Sequence, residues 1–188
     1  KLDLDSIRAF LDEHTGKTIF LFGFTSVVWA DFLNGLEDCG DKLNLENAFL
    51  LHGGGWKKLE NERVTNDSFK ARIQRLTGCS RVHNYYGMVE QTGTIFIECE
   101  HGKMHAAAQS DVIIRDPATH RRLPHGETGL IQVFSSIQKS YPGHSILTED
   151  VGRTRDGASC GCGRTTSIVE IDGRLPRAEV RGCSDAYP

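Results

Sequence analysis

The sequence predicts an α/β fold in which a partial parallel sheet is followed by a small antiparallel β subdomain. Two observations support this prediction. Over residues 1–93, helical hydrophobic patterns alternate with short apolar runs of strand length, as expected of parallel strands joined by helical crossovers. Over residues 94–188, short strand patterns recur between turn signals, which is typical of antiparallel sheets. We therefore predict two parts that divide after residue 93.

The first part opens with a helix, a strand and a second helix. Residues 4–14 have apolar side chains at helical spacing and predict an amphipathic helix. Residues 18–22 form an apolar run with the length of a buried strand. A second helix is expected from Thr25 or Ser26, with its apolar side chains on one face.

The same alternation continues through a second strand and a third helix. Residues 48–51 predict a buried strand that leads directly into Gly53-Gly54-Gly55. Asn66 or Asp67 is expected to cap a helix that reaches about Leu76 and stops at Gly78. A third strand, residues 81–84, would then lead into a loop at residues 85–87. Ligands of parallel sheets bind at the carboxyl ends of the strands, so both glycine-bearing loops are candidate binding segments.

The second part is expected to contain five short strands, separated by turns rich in Asp, Gly and Pro. These strands are residues 94–98, 110–115, 127–134, 144–148 and 165–171.

Composition excludes two classes of protein. Hydrophobic residues make up 38% of the chain, and no apolar run approaches the ~20 residues that span a bilayer. The net charge of −3 provides no basic surface for nucleic acid. The chain begins at Lys1 and shows no signal-peptide pattern. We therefore expect a piece of a longer protein, or a processed product, in the reducing cytoplasm.

A first candidate site is Tyr86-Gly87-Met88-Val89-Glu90. An aromatic face can stack on a purine, glycine permits close backbone approach, and a carboxylate can hold Mg²⁺ against phosphate oxygens. This segment resembles the Tyr-Gly-x-Thr-Glu motif of acyl-adenylating (ANL-type) enzymes. The resemblance implies that Tyr86 stacks on adenine and that Glu90 binds the metal. Val89 stands where the family has a phosphate-contacting Thr, a function for which Gln91 or Thr92 could compensate.

Three further segments resemble that family in the same order along the chain. Gly53-Gly54-Gly55 resembles its glycine-rich segment beside the adenine and acyl pockets. Asp150, in Thr148-Glu149-Asp150-Val151-Gly152, resembles the aspartate that accepts hydrogen bonds from the ribose hydroxyls, and Arg174 resembles the arginine that reaches ribose or phosphate. The closest branch is that of the acyl-protein synthetases and phenylacetate-CoA ligases, so residues 1–93 would be the α/β portion of the adenylation domain.

Four residues have the composition of a closed structural zinc site: Cys99, His105, Cys160 and Cys162. Cys160-Gly161-Cys162-Gly163-Arg164 resembles a Cys-x-Cys-Gly-Arg segment of the phenylacetate-CoA ligases, some of which have zinc there. His101 is the rival imidazole. Two unrelated free cysteines and a surface histidine are the alternative interpretation.

Cys183 is a candidate acyl acceptor near the end of the chain. Acyl-protein synthetases pass the acyl group from acyl-AMP to a cysteine near their own C-terminus, and Arg181 would favour the thiolate. In the CoA ligases the same region begins the hinge to a mobile lid. An ordinary buried cysteine is the alternative.

The sequence therefore predicts a fragment of an ATP-dependent acyl-protein synthetase that uses ATP, Mg²⁺ and structural Zn²⁺. Its substrate would be a fatty or aryl carboxylic acid, and its acceptor would be Cys183, CoA or a partner acyl-transfer protein. No Ser/Thr/Gly-rich phosphate loop and no lid lysine are found, so we expect that the chain alone does not adenylate acids. The alternatives are an acyl-CoA ligase, or a zinc-stabilised nucleotide- or partner-binding module that has lost catalysis.

Overall fold

The computed structural model describes residues 2–175, apart from the side chains of Lys57, Lys58 and Glu60. The chain divides into two compact units, residues 1–84 and 85–188. The first unit is a helix-covered parallel strand pair, and the second is an antiparallel sheet. The predicted fold class, a parallel part followed by an antiparallel part, is confirmed.

The first unit contains most of the helices. Its elements are α1 (Leu4–Glu13), β1 (Ile19–Phe24), α2 (Thr25–Val27), a π-helical segment (Val28–Leu33), α3 (Asn34–Asp38), β2 (Ala48–Gly53), a 3₁₀ segment (Lys57–Glu62) and α4 (Asn66–Thr77). Strands β1 and β2 pair in parallel from Ile19–Ala48 to Phe24–Gly53, so their carboxyl ends meet at one edge.

The helix boundaries follow from capping groups. Asp3 accepts a hydrogen bond from the amide of Ser6 at the start of α1. Helix α4 begins after Thr65, whose hydroxyl accepts from the amide of Ser68, and it ends at the left-handed Gly78. The prediction that Asn66 or Asp67 caps this helix is therefore wrong, because the threonine one position earlier provides the oxygen.

The core of the first unit lies on one face of β1 and β2. Its largest fully buried side chains include Leu33, Leu36 and Phe69, with Ile7 and Leu11 of α1 packed against the same cluster. The opposite face of β1 is different, because Phe20 is 63% exposed and Phe22 is 59% exposed. The prediction of a buried strand is therefore wrong for β1, whose one apolar face is only partly buried and whose other apolar face is exposed.

Within the described residues, the second unit is an eight-stranded antiparallel sheet that begins with the end of a strand shared with the first unit. Its strands are β3 (Arg81–Gly87), β4 (Ile95–Glu98), β5 (Met104–His105), β6 (Ser110–Arg115), β7 (Arg122–Leu123), β8 (Gly129–Ser135), β9 (Ser145–Arg155) and β10 (Ile168–Arg174). The strand order is β3-β4-β5-β10-β9-β8-β6-β7. Its core contains Phe96, Ile114, Ile131 and Val133.

Several predictions about this sheet are wrong. Five strands are predicted after residue 93, whereas the described residues form seven, and β10 runs from Ile168 to Arg174 and not over residues 165–171. Residues 85–87 are not a loop, because Tyr85, Tyr86 and Gly87 pair with residues 95–97 of β4. The strand predicted at residues 144–148 continues to Arg155, because its Glu-Asp-Val-Gly segment pairs with β10 instead of turning. Both segments belong to the candidate nucleotide site, so that site is built on strands and not on turns.

Candidate functional site

Three of the predicted nucleotide-binding residues meet in the second unit. The hydroxyl of Tyr86, near the end of β3, donates a hydrogen bond to Oδ2 of Asp150 at 2.7 Å. Nε of Arg174 lies 3.2 Å from Oδ1 of the same carboxylate, and Asp150 and Arg174 are register partners on β9 and β10. Side chains from three strands therefore converge on one carboxylate.

Local geometry places Asp150 at that point. The hydroxyl of Thr148 accepts a hydrogen bond from the amide of Asp150 at 3.1 Å and donates to the carbonyl of Ile131 at 2.8 Å. At Gly152, a Cβ would lie only 2.1 Å from the carbonyl oxygen of Glu170, so only glycine permits this approach of β9 to β10. Sequence reasoning did not single out Thr148, although its spacing from Asp150 is typical of a hydroxyl that caps a local amide.

The surroundings of Tyr86 keep its phenol protonated, so that it is a neutral hydrogen-bond donor. Burial, followed by the negative charge of Asp150, raises the pKa of the Tyr86 phenol far above its ordinary value. The Asp150 side chain is 19% exposed. A carboxylate offers about four lone-pair sites, so this one can accept bonds from a ligand besides those from Tyr86 and Arg174.

Glu90 lies in the same unit, on the 3₁₀ turn Val89–Gln91 that follows β3. Its side chain is exposed, and within residues 2–175 its carboxylate has no hydrogen-bond or ion-pair partner. The Glu90 carboxylate is therefore available as a metal ligand, but it does not contact Asp150 in the structure. A single exposed carboxylate fits Mg²⁺, which is usually held by one or two carboxylates together with substrate phosphates.

The side chains of the residues around Glu90 are directed mainly to the backbone. Val89, which stands where the resembled motif has a threonine, is 63% exposed. The Gln91 side-chain amide is buried and donates to the backbone carbonyls of Val133 and Gly143, and the Thr92 hydroxyl donates to the carbonyl of Val89 at 2.9 Å. Both candidate substitutes are therefore engaged with the backbone.

The glycine run follows β2 in the first unit. Gly53 is buried as the last residue of the strand, Gly54 has a left-handed φ of 79°, and Gly55 is exposed. The Thr25 hydroxyl donates to the carbonyl of Gly53 at 3.1 Å and lies 3.0 Å from Nδ1 of His52. A network at the carboxyl ends of β1 and β2 therefore fixes the start of the run.

His52 is the central residue of that network. Its ring is 2% exposed and stacks on Phe69 with centroids 4.3 Å apart. Because the Thr25 hydroxyl donates to Gly53, Nδ1 of His52 carries the hydrogen, and the buried Nε2 has no partner among the described residues. Burial, with a smaller effect of Lys70, lowers the pKa of His52 to about 4. The imidazole is therefore neutral near pH 7.

The cysteines and histidine that the sequence grouped together form a cluster in the second unit. The ligand atoms of Cys99, His105, Cys160 and Cys162 all lie within 4.8 Å of one another. The sulfurs of Cys99 and Cys160 are 3.6 Å apart, and Nε2 of His105 lies 3.4 Å from the sulfur of Cys162. Cys99 and His105 are buried, whereas the other two are partly exposed. These four groups could hold one metal ion.

Neighbouring groups orient this cluster. Nδ1 of His105 donates to the carbonyl of Thr166 at 3.1 Å, which leaves Nε2 as the lone pair that faces Cys162. The rival His101 instead uses Nδ1 to donate to the carbonyl of Cys160 at 2.9 Å. The carbonyl of Thr166 has no signal in the sequence. Cys183, the predicted acyl acceptor, lies outside the described residues.

Residues 5–187 match the family model described as acyl-protein synthetase, LuxE. The chain is 26% identical over 178 residues to a long-chain-fatty-acid–luciferin-component ligase of Vibrio harveyi. The match covers 92% of the chain and 45% of that protein. The corresponding ligase of Aliivibrio fischeri is 25% identical over 114 residues, which are 59% of the chain and 30% of that protein. The chain thus spans less than half the length of these relatives.

Solved structures show the same fold. A 2-hydroxyisobutyryl-CoA ligase in an open conformation, in complex with 2-HIB-AMP and CoA, superposes with a TM-score of 0.70 at 21% identity and covers 94% of the chain and 41% of the ligase. A long-chain-fatty-acid-CoA ligase from Archaeoglobus fulgidus gives a TM-score of 0.64 at 13% identity, with 93% and 37% covered. Within residues 2–175, no helix is long and apolar enough to cross a membrane.

Proposed function

Because the chain belongs to the LuxE acyl-protein synthetase family, we propose that it is the nucleotide-binding part of an ATP-dependent ligase. The ligase activates a carboxylic acid, fatty or aryl, as acyl-AMP and transfers the acyl group to a thiol. The observation that carries this proposal is the convergence of Tyr86 and Arg174 on Asp150, which gives a fixed carboxylate for the two ribose hydroxyls. A family resemblance at single residues would be weaker support than this shared geometry.

In the first half-reaction, a carboxylate oxygen of the acid attacks the α-phosphorus of ATP. A new P–O bond forms, the bond to the bridging oxygen breaks, and pyrophosphate leaves. The protein supplies position more than covalent chemistry. Asp150 holds the ribose, Tyr86 supports that carboxylate and stacks on adenine, and Arg174 reaches the ribose or phosphate.

Glu90 of the second unit is the proposed metal ligand, and the glycine run of the first unit is a proposed ligand-contacting segment by its family resemblance. When bound, Mg²⁺ offsets phosphate charge. Glycine permits close backbone approach of a ligand, which is the role proposed for Gly87 in the second unit and, separately, for Gly53-Gly54-Gly55 in the first.

In the second half-reaction, a thiolate attacks the acyl carbonyl, AMP leaves, and a thioester remains. The proposed acceptor is Cys183, with CoA and a partner acyl-transfer protein as alternatives. In the longer protein, a Cys183 acceptor gives a hydroxylamine-sensitive acyl adduct that disappears in Cys183→Ser. An adduct that survives this substitution assigns the acceptor to another thiol.

Zinc bound by Cys99, His105, Cys160 and Cys162 is part of the proposal. Tetrahedral zinc with Zn–S bonds of about 2.3 Å separates two sulfur ligands by roughly 3.8 Å, close to the 3.6 Å between Cys99 and Cys160. With four protein ligands the site is closed, so its role is structural. A site that needs three thiolates favours the reducing cytoplasm as its location.

Calorimetry with AMP and ATP on the 188-residue chain tests the nucleotide site directly. We expect AMP to bind and the chain alone to catalyse no ATP–pyrophosphate exchange, since it spans less than half of its relatives. Pyrophosphate exchange by the chain alone would contradict this expectation.

A second function is favoured by Val89, which puts an exposed apolar side chain at the phosphate-contacting position. The chain would then be a zinc-stabilised nucleotide- or partner-binding module without catalysis. Two results would decide for it: zinc at one equivalent, and no pyrophosphate exchange by the longer protein with any acid tested.

A further inference from the structure

The turn that carries Glu90 is held by a second segment of the chain, the 136–144 loop. This loop joins β8 to β9. The Tyr141 hydroxyl donates a hydrogen bond to the backbone carbonyl of Glu90 at 2.8 Å. The Glu90 side chain itself stays exposed, so the contact fixes the backbone without using the carboxylate.

The next residue, Gln91, is tied to the same loop from the inside. It is 1% exposed, and its side-chain amide donates to the carbonyl of Gly143 at 2.8 Å and to that of Val133 at 3.3 Å. Its Oε1 has no partner among the described residues. The two bonds that this amide donates connect the turn to Gly143 of the loop and to Val133 of β8.

Gly143 shows how closely the loop approaches the turn. A Cβ at this position would lie 2.2 Å from the ring of Tyr141 and 2.9 Å from the carbonyl oxygen of Glu90. Two more bonds lie beside this contact: the Thr94 hydroxyl donates to that of Ser135, the last residue of β8, at 2.5 Å, and Gln138 of the loop donates to the carbonyl of Thr92, the residue after the turn, at 3.2 Å. The turn therefore has little freedom to move away from the loop.

The loop also leads directly to the ribose-binding strand. It ends at His144, just before β9 begins at Ser145, and Asp150 is five residues further along that strand. The loop therefore contacts the turn of Glu90 and is continuous in sequence with the strand of Asp150. An enzyme that binds one nucleotide at both ribose and phosphate needs a fixed distance between the groups that bind them.

We propose that Tyr141 and Gln91 are positioning residues that set the Glu90 carboxylate at the distance from Asp150 required by metal-bound phosphate. This inference rests on the proposed function, because it takes Glu90 as the metal ligand and Asp150 as the ribose ligand. It adds Tyr141 and Gln91, which are distant from each other in sequence and act on the ligand only by positioning Glu90.

The test is the gain in ATP affinity that Mg²⁺ produces, measured by calorimetry as the ratio of dissociation constants without and with added Mg²⁺. We expect Tyr141→Phe, which loses one hydrogen bond, to reduce this ratio about fivefold, and Gln91→Met, which loses two, to reduce it at least as much. AMP affinity without Mg²⁺ should stay within about twofold of the original. The matched control is Gln74→Met, on an exposed position of α4, which should leave the ratio unchanged.

Glu90→Gln separates the possible outcomes. If it abolishes the Mg²⁺ gain while Tyr141→Phe and Gln91→Met retain it, the positioning role is wrong and the proposed function stands. If the original chain binds no nucleotide, or Glu90→Gln keeps the gain, the proposed function and this inference fail together. Should one of the two variants not fold, as judged by circular dichroism, the other decides.

Discussion

The hydroxyl oxygen of Tyr86 lies 2.7 Å from a carboxylate oxygen of Asp150, although 64 residues separate them in the chain. The bond joins the end of β3 to the middle of β9. It also gives the carboxylate a fixed orientation, because Arg174 contacts the other oxygen. A carboxylate held in this way suits a ligand with two neighbouring hydroxyl donors.

We expect Asp150→Asn to weaken AMP binding about 30- to 100-fold, since hydrogen bonds to a charged group contribute roughly 1.5–3 kcal/mol. The original chain should prefer AMP over 2′-deoxy-AMP, and the variant should lose that preference. Isothermal titration of both nucleotides measures this. The matched control is Asp172→Asn, whose carboxylate pairs with Arg153 at the surface; an equal loss in the control would remove the ribose assignment.

We expect Val89→Thr to strengthen ATP binding about fivefold, by giving the phosphate one hydroxyl donor worth roughly 1 kcal/mol. AMP, which lacks the β- and γ-phosphates, should gain less. Calorimetry with the two nucleotides gives the comparison, and Val27→Thr, on an exposed position of α2, is the matched control. No change for either nucleotide would mean that position 89 does not face phosphate.

Zinc content should depend on four residues and not on their neighbours. Purified without chelator, the chain is expected to hold about one equivalent of zinc, and Cys99→Ser or His105→Gln less than about half, because a closed site needs four ligands. Cys39→Ser, at an exposed free thiol, and His101→Gln should retain the metal. Elemental analysis reports the content; retention in His105→Gln with loss in His101→Gln would transfer the ligand role to His101.

Stability should fall in mild acid because of His52. Burial lowers its pKa from 6.5 to about 4, so the unfolded chain takes up a proton that the folded chain does not. The contribution is complete above pH 6.5 and is lost as pH falls toward 4, by up to about 3 kcal/mol.

Urea unfolding at pH 7 and pH 5 measures this loss. His52→Gln should flatten the pH dependence, whereas His144→Gln, at an exposed position, should not. The Glu37 pKa is lowered to about 2, chiefly by a hydrogen bond from Arg72. The contribution of Glu37 to stability is therefore lost mainly below pH 4.5, outside the interval between the two measurements. An unchanged slope in His52→Gln would exclude this origin.

Gly152→Ala should destabilise the second unit by about 2–3 kcal/mol, the cost of overpacking at a rigid contact. Its Cβ would lie 2.1 Å from the carbonyl oxygen of Glu170, whereas at Gly87 the nearest atom is 3.4 Å away. Gly87→Ala should therefore cost less stability. Chemical denaturation orders the two, and the reverse order would contradict the close approach of β9 to β10.

Sequence patterns predicted the elements whose side chains alternate clearly. The amphipathic α1 and the apolar runs of β1 and β2 are each found within a few residues of their predicted bounds, although β1 is not the buried strand that its run predicts. The sequence predicts a strand only over residues 144–148, whereas pairing with β10 extends β9 through Glu149-Asp150-Val151-Gly152. Local composition does not reveal the partner strand.

The candidate site shows the same limit. Candidate ligands could be singled out from the sequence: Asp150 by its resemblance to a family motif, and the Cys/His set by residue type and the same resemblance. The groups that orient them could not: the carbonyl of Thr166 belongs to every residue type, and Tyr141 gives no local sign that its hydroxyl reaches Glu90. Such contacts depend on how distant segments pack.

The exposed face of β1 affects the tendency of the purified chain to self-associate. The rings of Phe20 and Phe22 are more than half exposed to solvent. Within the first unit, the strand that carries them pairs on one side only, with β2. Such an edge promotes self-association. Light scattering should therefore rise with protein concentration, and Phe20→Lys together with Phe22→Glu should yield a preparation that stays monodisperse for crystallisation.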